Sequence, residues 1–291
     1  MIPPLVSFIT WNRMGLTVRN LTALLATEDD FELHIVDNNS KDHTWEYLSD
    51  LRDGRIVSKI RFGANLGQIY ALNYNLSKRK KDQFFITVDN DVNIHTRNWI
   101  SKFMEAFGAF PEVGLLGAVS RECFSLFKLP LLEKRKGNIR YLQLQKGFVE
   151  GCCQCLSPEV INCIGYWNEE TCLGDMEICH RIASYTPYKL GFLPSVEIDQ
   201  LQSISCGECP GKPWCGLDRE HNCFSLHNDL YSNHKFYRTY EWKYKKYKKE
   251  MKKGIKTAFC ASVSDEASIV EHSYDRHSAE ENFRFYIENG N

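Results

Sequence analysis

The chain has 291 residues, 43% of them hydrophobic and 25% charged, with a formal net charge of −1. That length supports a substantial buried core in one large domain or one domain with an appendage, and the near-neutral charge excludes a globally basic nucleic-acid binder. No apolar stretch is long enough to span a bilayer, and twelve cysteines without a visible export signal point to a reducing, cytoplasmic setting in which structural disulfides are not expected.

Leu5-Val6-Ser7-Phe8-Ile9 reads as a first strand, followed by the polar turn Thr10-Trp11-Asn12-Arg13. From Leu16 to Leu25 the apolar spacing is helical, with Leu21, Leu24 and Leu25 on one face. Leu33-His34-Ile35-Val36 is a second strand and runs into Asp37-Asn38-Asn39-Ser40-Lys41-Asp42, where Ser40 or Asp42 can cap a helix from Thr44 to Leu51. Val57 to Phe62 is a third strand; Gly63-Ala64-Asn65-Leu66-Gly67 and a helix from Gln68 to Leu76 follow it. Phe84-Phe85-Ile86-Thr87-Val88 is a fourth, and it ends in Asp89-Asn90-Asp91. The alternation β-α-β-α-β-α-β predicts an α/β fold with a largely parallel sheet and right-handed crossovers. All four polar clusters then fall beyond the carboxyl ends of strands, where open α/β sheets bind ligands. Asp89 and Asp91 repel each other there. A divalent cation with a taste for oxygen, Mg²⁺ or Mn²⁺, relieves that repulsion and draws phosphate to the site.

Further along, Glu150-Gly151-Cys152-Cys153-Gln154-Cys155 reads as another strand. Cys152 and Cys153 would point to opposite faces, which suits small core residues better than metal ligands. Gly165-Tyr166-Trp167-Asn168-Glu169 and Gly174-Asp175-Met176-Glu177 with Arg181 complete the set of polar motifs. If Asp175 opens a helix, Glu177 and Arg181 form an i,i+4 pair.

Residues 4–199 resemble a family 2 glycosyltransferase of the GT-A fold, a Rossmann-like sheet flanked by helices. The resemblance is carried, in order, by Thr10-Trp11-Asn12-Arg13, Asp37-Asn38-Asn39-Ser40-Lys41-Asp42, Asn65-Leu66-Gly67 with Asn73, Asp89-Asn90-Asp91, Gly165-Tyr166-Trp167-Asn168-Glu169, and Gly174-Asp175-Met176-Glu177 with Arg181. It implies transfer of a sugar from a nucleotide diphosphate-sugar to an acceptor hydroxyl with inversion at the anomeric carbon. Thr10, Asn12, Asp37, Asn65, Gly67, Asp89 and Gly151 would line the donor site. Asp37 would accept from a base N–H, which favours a UDP-type donor. Asp89 and Asp91 would hold the cation, Arg13 or Arg61 would add a second positive charge, and Asp175 would be the general base. Two positions depart from the family pattern: Gly174 stands where an acidic residue is usual and Glu177 where Asp is usual. No Q-x-x-R-W sequence is present, which speaks for addition of a single sugar rather than polymerisation.

The resemblance divides the chain into a catalytic domain (1–199), a Cys-rich loop (200–226) and a helical extension (227–291). Cys206, Cys209, Cys215 and Cys223 can hold a structural Zn²⁺, with His221 or His227 as substitutes; an unliganded loop of free cysteines competes with that reading, and a disulfide-bonded loop is third. In the family a histidine after the catalytic helix often completes the metal site, for which His227 and His234 are candidates. Tyr237, Tyr240, Tyr244, Tyr247 and Met251 form an apolar helical stripe among many lysines. Packing of that stripe on the catalytic domain is the favoured reading. Contact with an anionic membrane at the inner face, where a lipid-linked acceptor would lie, is a second, and contact with nucleic acid is not favoured. Residues 255–291 are expected to form one more amphipathic piece or a tail. Two other functions compete: a nucleotidyltransferase, which lacks its Gly-rich phosphate loop between Thr10 and Leu16, and a non-catalytic sugar-nucleotide or partner-binding module with a zinc loop.

Overall fold

A computed structural model describes residues 2–120, 129–171, 173–201, 209–216 and 234–289, with side chains from 241 to 288 in the last segment. The first half follows the alternation in the sequence: β1 (Leu5–Thr10), α1 (Met14–Leu25), β2 (Glu32–Asp37), α2 (Thr44–Asp50), β3 (Ile56–Arg61), α3 (Gln68–Leu76) and β4 (Phe85–Asp89). Then come β5 (Val92–Ile94), α4 (Trp99–Ala109), β6 (Val113–Ser120), β7 (Leu131–Lys136), β8 (Ile139–Leu144), β9 (Cys153–Leu156), α5 (Pro158–Ile164), α6 (Gly174–Tyr185) and β10 (Lys189–Gln200). A one-turn helix α7 (Lys212–Cys215) and three C-terminal helices, α8 (His234–Lys252), α9 (Glu266–Glu271) and α10 (Arg276–Asn289), complete the described chain.

The strands form one sheet in the order β3-β2-β1-β4-β9-β6-β10-β8-β7, with β5 paired to β10 off that path. β3, β2, β1 and β4 are mutually parallel. β9 runs antiparallel between β4 and β6, and β10 is parallel to β6.

Alternation along each strand builds two cores, one on each face of the sheet. Val6, Phe8, Ile35 and Val88 meet Leu21 and Leu24 of α1 and Trp99 and Phe103 of α4. Leu5, Ile9, Val36 and Phe85 meet Ile69 and Leu72 of α3, Val160 and Ile164 of α5, and Ile178 and Ile182 of α6. Cys152, Cys153 and Cys155 are buried free thiols within the first core. Burial pushes all three thiols well above the usual range, so they behave as small apolar residues.

Three features differ in detail from the sequence expectation. The strand expected from Glu150 begins at Cys153, because Gly151 and Cys152 are in a turn. The helix expected from Thr44 has His43 at its N-cap position in place of Ser40 or Asp42; Asp42, one residue earlier, accepts from the Thr44 N–H at Oδ1 (3.0 Å) and from the Met14 N–H of α1 at Oδ2 (3.0 Å). The residues after 255 form two helices and pack onto α3, α6 and the segment around Glu169.

Glu169 ties that packing together. Its carboxylate is 1% exposed and accepts from Asn73 Nδ2 (2.8 Å), Ser262 Oγ (2.6 Å), the Val263 N–H (3.1 Å) and Tyr274 Oη (2.5 Å). Burial raises its pKa, and those donors pull it back down. Arg181, fully buried, pairs with Glu177 at 2.7 Å and donates to the carbonyls of Ile164, Tyr166 and Ala258. The i,i+4 pair is therefore a clamp between α6 and the C-terminal segment.

Candidate active site

The acidic pair sits at the carboxyl end of β4, level with the turns after β1 and β2. Asp91 Oδ2 meets Arg13 Nη1 at 3.3 Å, and Arg13 Nη2 donates to Asn90 Oδ1 at 2.5 Å. Arg13 is thus the cation on the acidic pair. Arg61 lies elsewhere, with its Nε 3.4 Å from Asp37 Oδ2. Arg13 reaches Asp91 through a left-handed backbone: Asn12 (φ 55°), Arg13 (φ 61°) and Asn39 (φ 67°) are the non-glycine residues with positive φ among those described. All three lie in the turns that rim the carboxyl end of the sheet, where strain is commonly held for function.

Asp89 Oδ1 accepts from Gln68 Nε2 at 2.9 Å. Burial and the nearby carboxylates of Asp91 and then Asp175 push the Asp89 pKa well above the usual range, while Arg13 and Gln68 pull it down. Asp91 Oδ1 is buried without a hydrogen-bond partner. Two close carboxylates, one with an orphaned oxygen, fit a divalent cation that takes its other ligands from a diphosphate and water. Among the described residues no group of three or more His, Cys, Asp or Glu is placed to hold a metal, so an all-protein cage is not present there.

Asp175 lies in the first turn of α6 and is partly exposed. Its Oδ2 accepts from the Gly151 N–H at 2.7 Å, and its Oδ1 accepts no hydrogen bond among the described residues. A Cβ on Gly151 would lie 2.2 Å from Asp175 Oδ1, so only glycine lets the carboxylate rest on that amide. Burial pushes the Asp175 pKa up to about 6, with the Gly151 amide opposing and Glu150 adding to the rise. Gly174, where the family pattern has an acid, has φ 51°, a conformation that glycine adopts without strain.

The remaining donor-site candidates stitch loops together. The Thr10 carbonyl accepts from the Asn38 N–H (2.8 Å), and Thr10 Oγ1 bonds Thr17 Oγ1 (2.8 Å) and accepts from Asn90 Nδ2 (3.0 Å). Asn12 donates its N–H to Ser40 Oγ (2.7 Å) and accepts from the Lys41 N–H at Oδ1 (2.8 Å). Asn65 Oδ1 accepts from Asn38 Nδ2 (2.8 Å) and from the Gly67 N–H (2.9 Å). Asp37 is fully buried; Ser40 donates to its Oδ1, and Oδ2 meets only the Arg61 ion pair. Burial raises its pKa against the pull of Ser40 and Arg61.

Sequence reasoning did not assign Gln68 or Tyr286. Gln68 follows the Asn65-Leu66-Gly67 turn and was visible only as a helix start. Tyr286 of α10 packs on Gly67, where an added Cβ would lie 2.6 Å from its ring, and the neighbouring Phe283 meets Tyr70 edge-on at 5.1 Å. No periodicity announces such a long-range contact.

Of the zinc candidates, Cys209 and Cys215 are partly exposed free thiols, and Cys209 Sγ lies 3.6 Å from the Leu201 carbonyl. Cys206 and Cys223, like His221 and His227, lie outside the described residues, and so does the side chain of His234. The helix α7 between the two visible cysteines sits on α1: the Trp214 carbonyl closes on Gly15, and Arg19 stacks 3.9 Å over the Trp214 ring.

Residues 6–165, more than half of the chain, match the family described as "Glycosyl transferase family 2". No curated protein matches. Among solved structures, the mannosyltransferase PcManGT from Pyrobaculum calidifontis, in complex with GDP-Man and Mn²⁺, is similar at 16% identity and TM-score 0.55, over 70% of this chain and 58% of that one. GalNAc-T7 with UDP, GalNAc and Mn²⁺ is similar at 12% identity and TM-score 0.56, over 81% and 50%. S. aureus TarS residues 1–349 are similar at 17% identity and TM-score 0.51, over 68% and 59%. At these identities the likeness is one of fold, the GT-A arrangement. The chain spans between half and three fifths of the length of these proteins.

Proposed function

The chain belongs to glycosyl transferase family 2, and we propose that it moves a single sugar from a nucleotide diphosphate-sugar to an acceptor hydroxyl with inversion at the anomeric carbon. The observation that carries this reading is that one turn, Gly151-Cys152, holds Asp175 beside the acidic end of β4. The Gly151 N–H donates to Asp175 Oδ2 (2.7 Å), the Gly151 carbonyl accepts from Thr87 Oγ1 (2.8 Å), and the Cys152 carbonyl accepts from the Asp89 N–H (2.9 Å).

Asp175 is the general base in this proposal. Its free Oδ1 takes the proton of the acceptor hydroxyl as that oxygen attacks, and a pKa of about 6 keeps it ionised at neutral pH yet a stronger base than an ordinary aspartate. The Gly151 amide fixes its direction throughout. Asp89 and Asp91 would hold Mn²⁺ or Mg²⁺, which supplies Lewis-acid neutralisation of charge on the departing diphosphate. Arg13 adds positive charge beside the same carboxylates. Asp37, ion-paired to Arg61 through Oδ2, would accept from a base N–H, in keeping with a UDP-type donor, and the Thr10, Asn12, Asn65 and Gly67 turns would position the nucleoside by backbone. GDP-Man and UDP are the nucleotides bound in the similar PcManGT and GalNAc-T7 structures, and they are the first two donor classes to test. A structural Zn²⁺ at the cysteine loop would brace this end of the molecule without taking part in transfer.

Calorimetric titration of UDP, GDP, CDP and dTDP, each with Mn²⁺ and with EDTA, tests the donor half. Metal-dependent binding of one nucleotide is expected; no binding of any would overturn the proposal. Asp175→Asn tests the base. It should keep nucleotide binding within a few-fold and lose transfer by roughly 10²–10⁴-fold. Transfer at the parental rate would remove Asp175 from the role.

A further inference from the structure

Helix α8 has two unlike faces. Tyr247 and Met251 are 4% and 5% exposed, Tyr247 Oη lies 3.0 Å from Cys260 Sγ, and Tyr244 meets His180 of α6 with ring centroids 6.2 Å apart. These residues dock the helix onto the one that carries Asp175. On the opposite side, at about 100° per residue, Trp242, Lys245, Lys246, Lys249 and Lys253 point within roughly 60° of one another's mean direction. All five are exposed, Trp242 by 63%. Lys249 and Lys253 have no ion-pair partner among the described residues. Lys245 and Lys246 are ion-paired only with Glu241 (2.9 Å) and Glu250 (3.7 Å) of the same helix, Lys246 also lying 5.8 Å over the Trp242 ring, and exposed pairs of this kind are weak and easily exchanged. Just past the helix end, beyond the Gly254 turn (φ 70°), Ile255 is also 63% exposed.

Residues 234–253 hold nine Lys or Arg and two Glu, a net charge of +7 in a chain of net −1, so the remaining residues carry −8. Such a separation orients the molecule in the field of a negative surface. From this we infer that the outer face of α8 is a docking surface for an anionic lipid bilayer, with the lysines against the headgroups and the Trp242 ring in the interfacial layer. Indole at the headgroup level with lysines around it is the arrangement that interfacial helices use. Single-stranded nucleic acid is held by a row of stacking rings along a basic groove, which one ring on a convex helix does not supply, and the exposed Trp242 ring among the lysines favours the lipid interface. The inference does not depend on the transfer reaction, and its test reads binding alone.

The experiment is flotation of the full chain with phosphatidylcholine vesicles, with and without phosphatidylserine, at low and high salt. Binding is expected only with phosphatidylserine and should fall with salt. The variant K249Q/K253Q should weaken it about 25-fold, at roughly five-fold per lysine, and Trp242→Ala should weaken it roughly ten-fold. Neither variant touches Tyr244, Tyr247 or Met251, so both should unfold at the parental temperature. Absence of binding, equal binding to neutral vesicles, or binding that the lysine variant leaves unchanged would each overturn the inference. Salt-sensitive binding to an RNA or DNA oligonucleotide in place of vesicles would also overturn it.

Discussion

As the proposed base, Asp175 would link activity and stability with opposite signs. Its folded pKa, about 6, lies above the ordinary aspartate value of 3.8. Between those values the folded chain binds more protons than the unfolded one, so this group's contribution to stability falls as pH rises through the window and stays lowered above it. A base must be ionised, so transfer should rise with pH through about 6 and level off above it. Asp175→Asn removes the cost of ionisation while leaving an oxygen for the Gly151 amide. It should raise stability at neutral pH by about 1–3 kcal/mol, with no gain near pH 4, as thermal melts across pH will show. If melts of the two proteins ran parallel at all pH values, the shifted carboxyl would be excluded. At this scale the Asp89-Asp91 pair is legible as a cluster at a strand end, whereas Asp175 enters only through the family resemblance. Arg13 was nameable but not placeable, because its reach to Asp91 depends on two successive left-handed residues, and nothing in Asn12-Arg13 except the asparagine favours that conformation. Gly174 was read as a departure from the family. Its φ of 51° supplies the reason, since an acidic side chain there would strain the start of α6.

At the scale of elements, the helices α1, α2 and α3 and the strands β1 to β4 were legible to within two residues, because each is a local pattern bounded by its own turn chemistry. The docking of α9 and α10 was not, because it rests on contacts far apart in sequence. Glu169 receiving Ser262, Val263 and Tyr274 is one case; Tyr286 on Gly67 is another. The tyrosine stripe was read as a packing face, and the described part of it, Tyr244, Tyr247 and Met251, is turned inward. The Tyr286 contact has a measurable signature. Gly67→Ala would introduce a side chain at φ 84° and push against the Tyr286 ring. It should cost about 1–3 kcal/mol in denaturant unfolding. Adding Tyr286→Ala should relieve the steric part but leave the backbone part, so the two changes together should cost less than their sum. Strict additivity would mean that α10 does not bear on the donor loop.

For the whole molecule, a donor bound to the folded chain and not to the unfolded one should stabilise it by mass action, about 2.7 kcal/mol at a hundred times Kd. The matching nucleotide with Mn²⁺ should therefore raise Tm, EDTA should abolish the rise, and Asp91→Ala should abolish it even with Mn²⁺ present. A nucleotide-induced shift that survived both EDTA and Asp91→Ala would place binding elsewhere. The sheet also bears on how the chain is made. β4 and β6 flank a slot that stays empty until β9 arrives, and β6 waits likewise for β10. A nascent chain that ends near residue 150 lacks β9, so strand Phe85–Asp89, apolar over most of its length, would be left as an open edge. Closure of the sheet therefore depends on β9 and β10 arriving before that edge finds a neighbour. The burden on the nascent chain is one of timing, and holdase chaperones would be expected to grip it between the emergence of β4 and that of β10.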